Sequence, residues 1–312
     1  MRQRLLPRGG RIAIEAPSGT IDPEILKSGV AELEKAGFDV CLAPHVLNHS
    51  EGVFSAPDAM RAADLAAALA DPDVDAIWCA RGGYGAMRTL DALEPYGGWR
   101  KVFGQTDKVV VGFSDITVLH AAAAISSGLG LHGPMLKHMA RHGIGSPDIQ
   151  ATLALLSGEP FSITRPALHG SRDGEARGRL IGGNLSILYS LAAADMTPDL
   201  NGAILFIEDL SEYRYHVDRM MRSLRMAGLL RKIGGLIVGQ MTNMKDGATP
   251  FGRDASQIVA DAVADLDIPV FVGYPAGHAA EENFPLVIGH DCQLRVSRGA
   301  ATVSQPPIAP RP

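Results

Sequence analysis

A serine, a histidine and a glutamate each follow a predicted β-strand, and these residue types can together hydrolyse an amide. Ser114 follows the β-branched run Val109–Val111 and a glycine turn, and helix-forming residues come after it. A strand that turns at glycine, presents a serine and begins a helix is typical of a nucleophile elbow. The backbone N–H of Asp115 would then point at the attacked carbonyl, and the positive helix end would favour an oxyanion.

The residues around Ser114 also have a purely structural interpretation. Serine is a preferred helix N-cap, and an aspartate in the first turn suits the helix dipole. The pattern departs from G-x-S-x-G, because Asp115 and Ile116 follow the serine. These residues alone leave both interpretations open.

A serine nucleophile needs a base, and the base needs a third group that holds its tautomer. His278 follows the predicted strand Val270–Val272 through a proline and glycine turn, and Glu208 follows the predicted strand Ala203–Ile207. The order serine, acid, histidine is one of the known orders for such triads. The alternatives are a loop histidine at 278 and, at 208, a carboxylate complementing a helix N-terminus.

Strands and helices alternate through the first half of the chain. The predicted elements are, in order, a strand at 11–16, a helix at 23–36, a strand at 38–42, a helix at 58–70 and a strand at 74–80. This alternation predicts an α/β fold with a doubly wound, mainly parallel sheet of the flavodoxin or Rossmann type. Ligands gather at the carboxyl ends of such strands, so the loop Arg81-Gly82-Gly83-Tyr84-Gly85 and the Ser114 turn share the functional edge.

Glycine and proline crowd the segment 143–177, which we therefore predict to be a linker. It would join an N-terminal domain over 1–142, carrying Ser114, to a smaller C-terminal α/β domain over 178–312, carrying the acid and base. Leu286–Ile288 and Gln293–Val296 are predicted to pair as a closing hairpin. We accordingly expect the second domain to have a mixed sheet.

Composition argues against several classes of function. The 29 basic and 34 acidic residues are nearly balanced and form no basic run, so we expect no nucleic-acid partner. The three cysteines have no C-x-x-C spacing, which favours thiols in a reducing compartment over disulfides or a zinc site. No stretch has the length and purity of a membrane span or the continuous apolar region of a secretory signal. We therefore predict a soluble cytoplasmic protein.

Six motifs, in order, resemble the LD-carboxypeptidase family of serine peptidases, which includes muramoyltetrapeptide carboxypeptidases and a microcin-immunity branch. They are RGGYG after a strand, GFSD, HGPM, GGNLSIL, IEDLSEYRYHVDRM and PAGH. The resemblance extends from Arg11 to about Val296. Several spaced motifs in one order are more specific than any one of them.

This resemblance implies that Ser114 is the nucleophile, Glu208 the acid and His278 the base. The implied substrate is a murein tetrapeptide, cleaved between an L-centre, diaminopimelate or its equivalent, and terminal D-alanine during peptidoglycan recycling. The reaction would pass through an acyl-enzyme and need neither a metal nor a cofactor. Relatives are often homodimers, so a second copy is the expected protein partner.

The same resemblance suggests where the substrate is held. The oxyanion would lie against the backbone N–H groups of Asp115 and of the Gly82-Gly83 turn. Arg81 would bind the substrate's terminal carboxylate with a two-pronged contact, or else be a surface arginine beside a glycine turn. Tyr84 and Asn184 are further candidates for lining the cleft.

Three other functions are compatible with parts of the sequence. The immunity branch cleaves an amide in a peptide–nucleotide antibiotic, but Phe161 is the only aromatic residue of 143–177 that could stack on adenine, which favours a peptide substrate. In a non-catalytic nucleotide-binding module RGGYG would cradle phosphate, without the G-x-G-x-x-G pattern. A metal hydrolase would use His138 and His142, four residues apart, without an H-E-x-x-H motif.

Overall fold

The apolar runs of the sequence form two separate sheets in the computed structural model, which describes residues 5–48, 52–279 and 281–309. The chain divides into two compact units. The first contains the described residues up to Pro160, the segment Phe284–Gly289 and residues 307–309. The second contains Phe161–Asn283 and His290–Pro306.

The strands and helices are named in chain order. The strands are β1 (Arg11–Glu15), β2 (Asp39–Leu42), β3 (Ala76–Cys79), β4 (Val109–Gly112), β5 (Gly130–His132), β6 (Phe161–Pro166), β7 (Gly174–Asn184), β8 (Ile204–Leu210), β9 (Gly235–Thr242), β10 (Val270–Val272), β11 (Leu286–Ile288), β12 (Asp291–Ser297) and β13 (Ala300–Gln305). The helices are α1 (Pro23–Lys35), α2 (Asp58–Ala70), α3 (Ala86–Asp91), α4 (Trp99–Gly104), α5 (Thr117–Ile125), α6 (Leu136–His142), α7 (Pro147–Leu156), α8 (Leu185–Ala193), α9 (Arg214–Met226) and α10 (Ala255–Asp261).

The sheet of the first unit has the strand order β11-β5-β4-β3-β1-β2. Strands β1 to β5 pair in parallel, and β11 is antiparallel to β5. Residues of β3 and β4 are buried throughout, as expected for strands covered on both faces. The predicted doubly wound α/β fold is confirmed.

Local signals in the sequence set the helices of this unit. Helix α1 begins at Pro23, and the Asp22 carboxylate accepts hydrogen bonds from the backbone N–H groups of Glu24 and Ile25. Helix α2 has the bounds predicted from its alanine-rich run. Its leucines at 65 and 69 are buried.

The sheet of the second unit has the order β10-β9-β8-β7-β12-β13-β6. Strands β7 to β10 are parallel, whereas β12 and β13 add antiparallel pairs, so the predicted mixed sheet is confirmed. Helix α9 is strongly amphipathic, and its Val217, Met220, Met221 and Leu224 are buried.

The segment 143–177, predicted to be a linker, consists largely of secondary structure. It contains α7 in the first unit, and in the second unit it contains β6 and the start of β7. Its glycines and prolines punctuate these elements: Pro147 is the first residue of α7, and Gly158 follows that helix with a φ of +88°. The chain passes between the units after Pro160.

The predicted closing hairpin is wrong. Leu286–Ile288 pairs with β5 in the first unit, while β12 pairs with β7 and β13 in the second. The burial patterns give the reason, because β11 is buried at every residue whereas β12 alternates between buried and exposed positions. Burial at every residue suits a strand in a sheet that is covered on both faces. Alternating burial suits a strand in a sheet with one face in solvent.

In the part of the chain that the structure describes, no helix is long and apolar enough to cross a membrane.

Candidate active site

Ser114 is the first residue of a 3-10 turn, Ser114–Ile116, that joins β4 to α5. Its φ is +64°, in the left-handed region, which costs a non-glycine residue roughly 1–3 kcal/mol. Neither the 3-10 turn nor α5 has a side-chain cap, so the interpretation of Ser114 as an ordinary N-cap is wrong. The strain is that of a nucleophile elbow.

The RGGYG loop packs directly against Ser114. A Cβ atom added at Gly82 would lie 3.2 Å from Ser114 Cβ and 3.4 Å from its Oγ, so only glycine fits without displacing the serine. Within the described residues, the N–H groups of Gly82, Gly83 and Asp115 make no backbone–backbone hydrogen bond. These are the donors that the sequence predicted for an oxyanion.

The side chain of Asp115 points into the protein while its backbone belongs to the turn. The residue is 3% exposed, and its Oδ2 accepts hydrogen bonds from Ser18 Oγ at 2.6 Å and from the backbone N–H of Ala86 at 2.8 Å. Burial raises the pKa of Asp115, and these hydrogen bonds oppose that rise. The carboxylate thereby connects the Ser114 turn to two neighbouring loops.

In the second unit, His278 contacts the buried carboxylate of Glu208. The distance from His278 Nδ1 to Glu208 Oε2 is 2.7 Å, and the glutamate side chain is fully buried. A carboxylate at Nδ1 favours the tautomer with its proton there, which leaves Nε2 to accept a proton. Sequence reasoning predicted this pair.

Glu208 lies within β8, before the N-terminus of α9 at Arg214, so its interpretation as a helix-start carboxylate is wrong. The β8–β9 register shifts around it, because Ile207 pairs with Val238 whereas Asp209 pairs with Met241. Bulges of this kind change the direction of a side chain next to active sites.

Gly277 allows the loop that carries His278, here called the histidine loop, to approach this bulge. Gly277 has a φ of +140°, and a Cβ atom there would lie 3.1 Å from Glu208 Oε2 and 2.9 Å from Gln240 Cβ. Any larger residue would push the loop away from the carboxylate. The residue before His278 is therefore required to be glycine.

Two amide side chains that the sequence analysis missed hold the same loop. Gln240 Oε1 accepts a hydrogen bond from Ala279 N–H at 2.7 Å, and its Nε2 donates to the carbonyl of Glu282 at 3.1 Å. Asn283 Oδ1 accepts from Gly277 N–H at 3.0 Å. The available signal was the position of Gln240 just after the apolar run of β9, where a polar side chain reaches the functional edge.

Asn184, predicted to line the cleft, is buried and bound within the second unit. Its Nδ2 donates to Asp209 Oδ1 at 2.9 Å, and its Oδ1 accepts from Ser186 Oγ and from Ile187 N–H. Burial first, and then the charge of Glu208, raise the pKa of Asp209 to about 6. Asn184 thus caps α8 and holds a buried acid beside Glu208.

Arg81 and Tyr84 lie on the loop of the first unit that carries Gly82. Arg81 is half-buried and donates from Nη1 to the carbonyl of Thr20 at 2.8 Å. Tyr84 is 58% exposed, and its ring lies 5.7 Å from that of Phe54. The structure therefore fixes one donor of Arg81 and leaves most of the Tyr84 side chain in solvent.

His138 and His142, considered as metal ligands, are stacked with 4.3 Å between their ring centroids. His138 Nε2 lies 2.9 Å from a carboxylate oxygen of Asp148. No group of three or more His, Cys, Asp or Glu side chains in the described residues could hold a metal ion.

Models of two protein domains match this chain. One, described as the LD-carboxypeptidase N-terminal domain, matches residues 12–133, and the other, the LD-carboxypeptidase C-terminal domain, matches residues 177–294. The first match contains the Ser114 turn, and the second contains Glu208 and His278.

Similar proteins span almost the whole chain. A putative carboxypeptidase of Streptomyces coelicolor is 35% identical over 98% of this chain and 96% of its own length. A probable murein peptide carboxypeptidase of Bacillus subtilis is 31% identical over 97% of this chain and 94% of its own length.

Solved structures share the fold. The crystal structure of muramoyltetrapeptide carboxypeptidase from Oxalobacter formigenes has a TM-score of 0.85 and 28% identity, covering 96% of this chain and 100% of that one. The microcin C7 self-immunity protein MccF has a TM-score of 0.82 and 21% identity, covering 97% and 98% of the two chains, and at that identity it indicates the fold alone.

Proposed function

Because this chain belongs to the LD-carboxypeptidase family of serine peptidases, we propose that it removes the terminal D-alanine from a murein tetrapeptide. The observation that carries the proposal is the 2.7 Å contact between His278 Nδ1 and the buried Glu208 carboxylate. This contact prepares Nε2 to exchange a proton with Ser114. The names of the Bacillus relative and of the Oxalobacter structure support the choice of substrate.

The proposed reaction begins with attack of Ser114 Oγ on the carbonyl carbon between the L-centre and D-alanine, while His278 Nε2 takes the hydroxyl proton. The backbone N–H groups of Asp115 and the Gly82-Gly83 turn stabilise the resulting oxyanion. When the C–N bond breaks, His278 gives its proton to the amine of the leaving D-alanine.

Water completes the cycle. His278 Nε2 takes a proton from a water molecule, whose oxygen attacks the ester formed with Ser114. The ester bond then breaks, Ser114 Oγ recovers the proton from His278, and the tripeptide leaves with a new carboxylate. Glu208 stabilises the imidazolium in both halves of the reaction. No step requires a metal or a cofactor.

A carboxypeptidase must recognise the free end of its substrate. We assign this to Arg81, because a guanidinium has five N–H donors and the bond to Thr20 occupies one of them. Exposed Tyr84 would lie along the peptide, and Asn184 would support the Glu208 side of the site. Arg81→Lys should raise KM more than it lowers kcat.

We place the reaction in the cytoplasm as part of peptidoglycan recycling, and we propose a homodimer as the assembly. The three cysteines, Cys41, Cys79 and Cys292, are free thiols, which suits a reducing compartment. Light scattering of the purified protein would measure its mass directly.

Direct assay tests the proposed function. The purified protein is incubated with an L,D-linked murein tetrapeptide, and released D-alanine is quantified by mass spectrometry. Ser114→Ala should lower kcat at least about 10⁴-fold, because no other group replaces the nucleophile. Ser127→Ala is the matched control, since Ser127 has a similar φ of +63° at the other end of α5.

Turnover retained by Ser114→Ala, or absent in the wild type, would overturn the proposal. An aminoacyl-nucleotide conjugate is assayed in parallel. If the conjugate alone is cleaved in a Ser114-dependent manner, the protein is an immunity-type hydrolase. If nucleotide binds with no cleavage of either compound, it is a binding module.

A further inference from the structure

One peptide group beside the nucleophile turn is held from both sides by buried charged side chains. The carbonyl of Gly85 accepts a hydrogen bond from Arg61 Nη1 at 2.9 Å. The N–H of the same peptide group, that of Ala86, donates to Asp115 Oδ2 at 2.8 Å. Rotation of this peptide group would break both bonds.

The same two side chains hold a second turn. Arg61 Nη1 also donates to the carbonyl of Pro17 at 2.6 Å, and Asp115 Oδ2 accepts from Ser18 Oγ at 2.6 Å. Thr89 Oγ1 adds a hydrogen bond to the Pro17 carbonyl at 2.7 Å. The turns at 17–18 and 85–86 are therefore fixed to one another through one cation and one anion.

Both charged groups are almost fully buried, with exposures of 2% for Arg61 and 3% for Asp115. Burying an ion is costly unless it is well hydrogen-bonded, and apolar side chains of similar size would stabilise the fold at least as well. Arg61 is also paired with Asp58, which lies on the same helix. The charges are thus better explained by the geometry that they enforce than by stability.

The two turns bear directly on the reacting serine. The backbone N–H of Gly19, next to Ser18, donates to the carbonyl of Gly82 at 3.2 Å. Gly82 in turn lies against Ser114, and a Cβ atom at Gly82 would be in tight contact with Ser114 Cβ, at 3.2 Å. A shift of either turn would move the Gly82-Gly83 N–H groups relative to the hydroxyl.

We propose that the Asp115 side chain and Arg61 form a positioning pair that sets the distance between Ser114 and its oxyanion donors. This inference rests on the proposed function and assigns the Asp115 carboxylate a role separate from that of its backbone N–H. An oxyanion forms only after attack, so a misplaced donor weakens the transition state more than the bound substrate. Loss of the pair should therefore lower kcat and leave KM nearly unchanged.

The variant Asp115→Asn tests the pair, because it keeps the size and the backbone N–H but removes the charge and one acceptor oxygen. We expect kcat for D-alanine release to fall about 10²-fold, with KM within about threefold of wild type. Asp148→Asn is the matched control: Asp148 is as deeply buried in the same unit, but it bonds Ser146 and Ile149 at the start of α7 and contacts His138. Its kcat should stay within about threefold of wild type.

Ser18→Ala makes the test independent of folding defects, since it removes one hydrogen bond and leaves both charges in place. Its kcat should fall about tenfold, the size expected for one hydrogen bond to a charged group. The double variant Arg61→Met/Asp115→Asn should lose about as much kcat as the more damaging of the two single variants. The losses should not add, because both changes act on the same turns. Thermal unfolding of each variant identifies those that are folded.

The pair has no positioning role if folded Asp115→Asn or Ser18→Ala keeps kcat within about threefold of wild type, or if Asp148→Asn loses as much as Asp115→Asn. A fluorophosphonate probe, in which Ser114 Oγ displaces fluoride from phosphorus, separates this outcome from a wrong substrate. One outcome is that the wild type does not cleave the tetrapeptide, while Asp115→Asn reacts with the probe much more slowly than Asp148→Asn. The positioning pair would then be supported and the substrate assignment would be wrong. Equal probe rates would overturn the pair.

Discussion

The two units hold their proposed catalytic residues by different chemistry. Around Ser114 the chain buries full charges and a strained backbone, with Arg61 and Asp115 fixing the neighbouring turns. Around His278 it uses the neutral amides of Gln240 and Asn283 together with a tight glycine approach.

This difference follows from what each residue must do. In the proposed reaction Ser114 has to keep one geometry, so strong charge-assisted hydrogen bonds are useful beside it. In the same proposed reaction His278 gains and loses a proton, and neutral amides would hold its loop without favouring either charge state. Glu208 would then supply the charge that stabilises the imidazolium.

The largest effect on the second unit should come from Glu208→Gln. The amide cannot offset the imidazolium charge and can select the wrong tautomer, so kcat should fall about 10³ to 10⁴-fold while KM changes little. Steady-state kinetics of D-alanine release measure both quantities. Asp64→Asn is the matched control, because the buried Asp64 carboxylate likewise contacts a histidine Nδ1, that of His45, at 2.8 Å. A loss of less than tenfold in Glu208→Gln would show that charge near His278 is unimportant.

An intermediate effect is expected from Gln240→Met. This change keeps the packing of the side chain against Gly277 but removes both hydrogen bonds to the histidine loop. We expect kcat/KM to fall about 10 to 100-fold, the loss of one part-buried and one exposed hydrogen bond. Gln293→Met provides the control, as Gln293 is a half-buried amide of the same unit that lies on β12 and bonds Glu175. Wild-type kinetics in Gln240→Met would mean that the loop is held by Gly277 and Asn283 alone.

The smallest effect on activity, and a measurable one on stability, concerns Asp209. Its pKa of about 6 lies above the ordinary value of 3.8, so the folded state binds its proton more tightly than the unfolded state. This stabilisation is complete below about pH 4 and is lost as pH rises through 6, and it amounts to roughly 2 to 3 kcal/mol. Asp209→Asn should therefore gain stability relative to wild type between pH 4 and pH 7.

Urea unfolding of both proteins at several pH values measures this difference. A constant gap between wild type and Asp209→Asn across that range would contradict the raised pKa. The same measurement shows the charge in the second unit, because an ionised Asp209 would place a second negative charge beside Glu208.

Much of this arrangement was predictable because strand ends are local signals. The β-branched run before Ser114, the apolar run before Glu208 and the turn before His278 each place a polar residue at a sheet edge. The contact between Glu208 and His278 follows from two parallel strands that end at the same edge. The α/β class of both units follows from the alternation of strands and helices.

The other features of the site and the fold depend on contacts between residues far apart in the sequence, which no local sequence pattern indicates. Ser18 and Asp115 are 97 residues apart, and Gln240 and Ala279 are 39 apart, so neither pair shows in the spacing of the sequence. The strand predicted to stop at Ile207 continues to Leu210, because β7 and β9 pair with the residues that follow. The hairpin prediction failed because the short break between two apolar runs does not reveal that the chain changes sheet there.

Because the chain returns to the first sheet at β11, the first unit cannot be isolated complete by cutting the chain once. Strand β11 covers the edge of β5, yet it is encoded more than a hundred residues after Pro160. A fragment truncated at Pro160 would present the bare edge of Gly130–His132, and open edges of this kind recruit other chains. Such a fragment should aggregate, whereas fusing Phe284–Gly289 to its end through a flexible spacer should restore solubility.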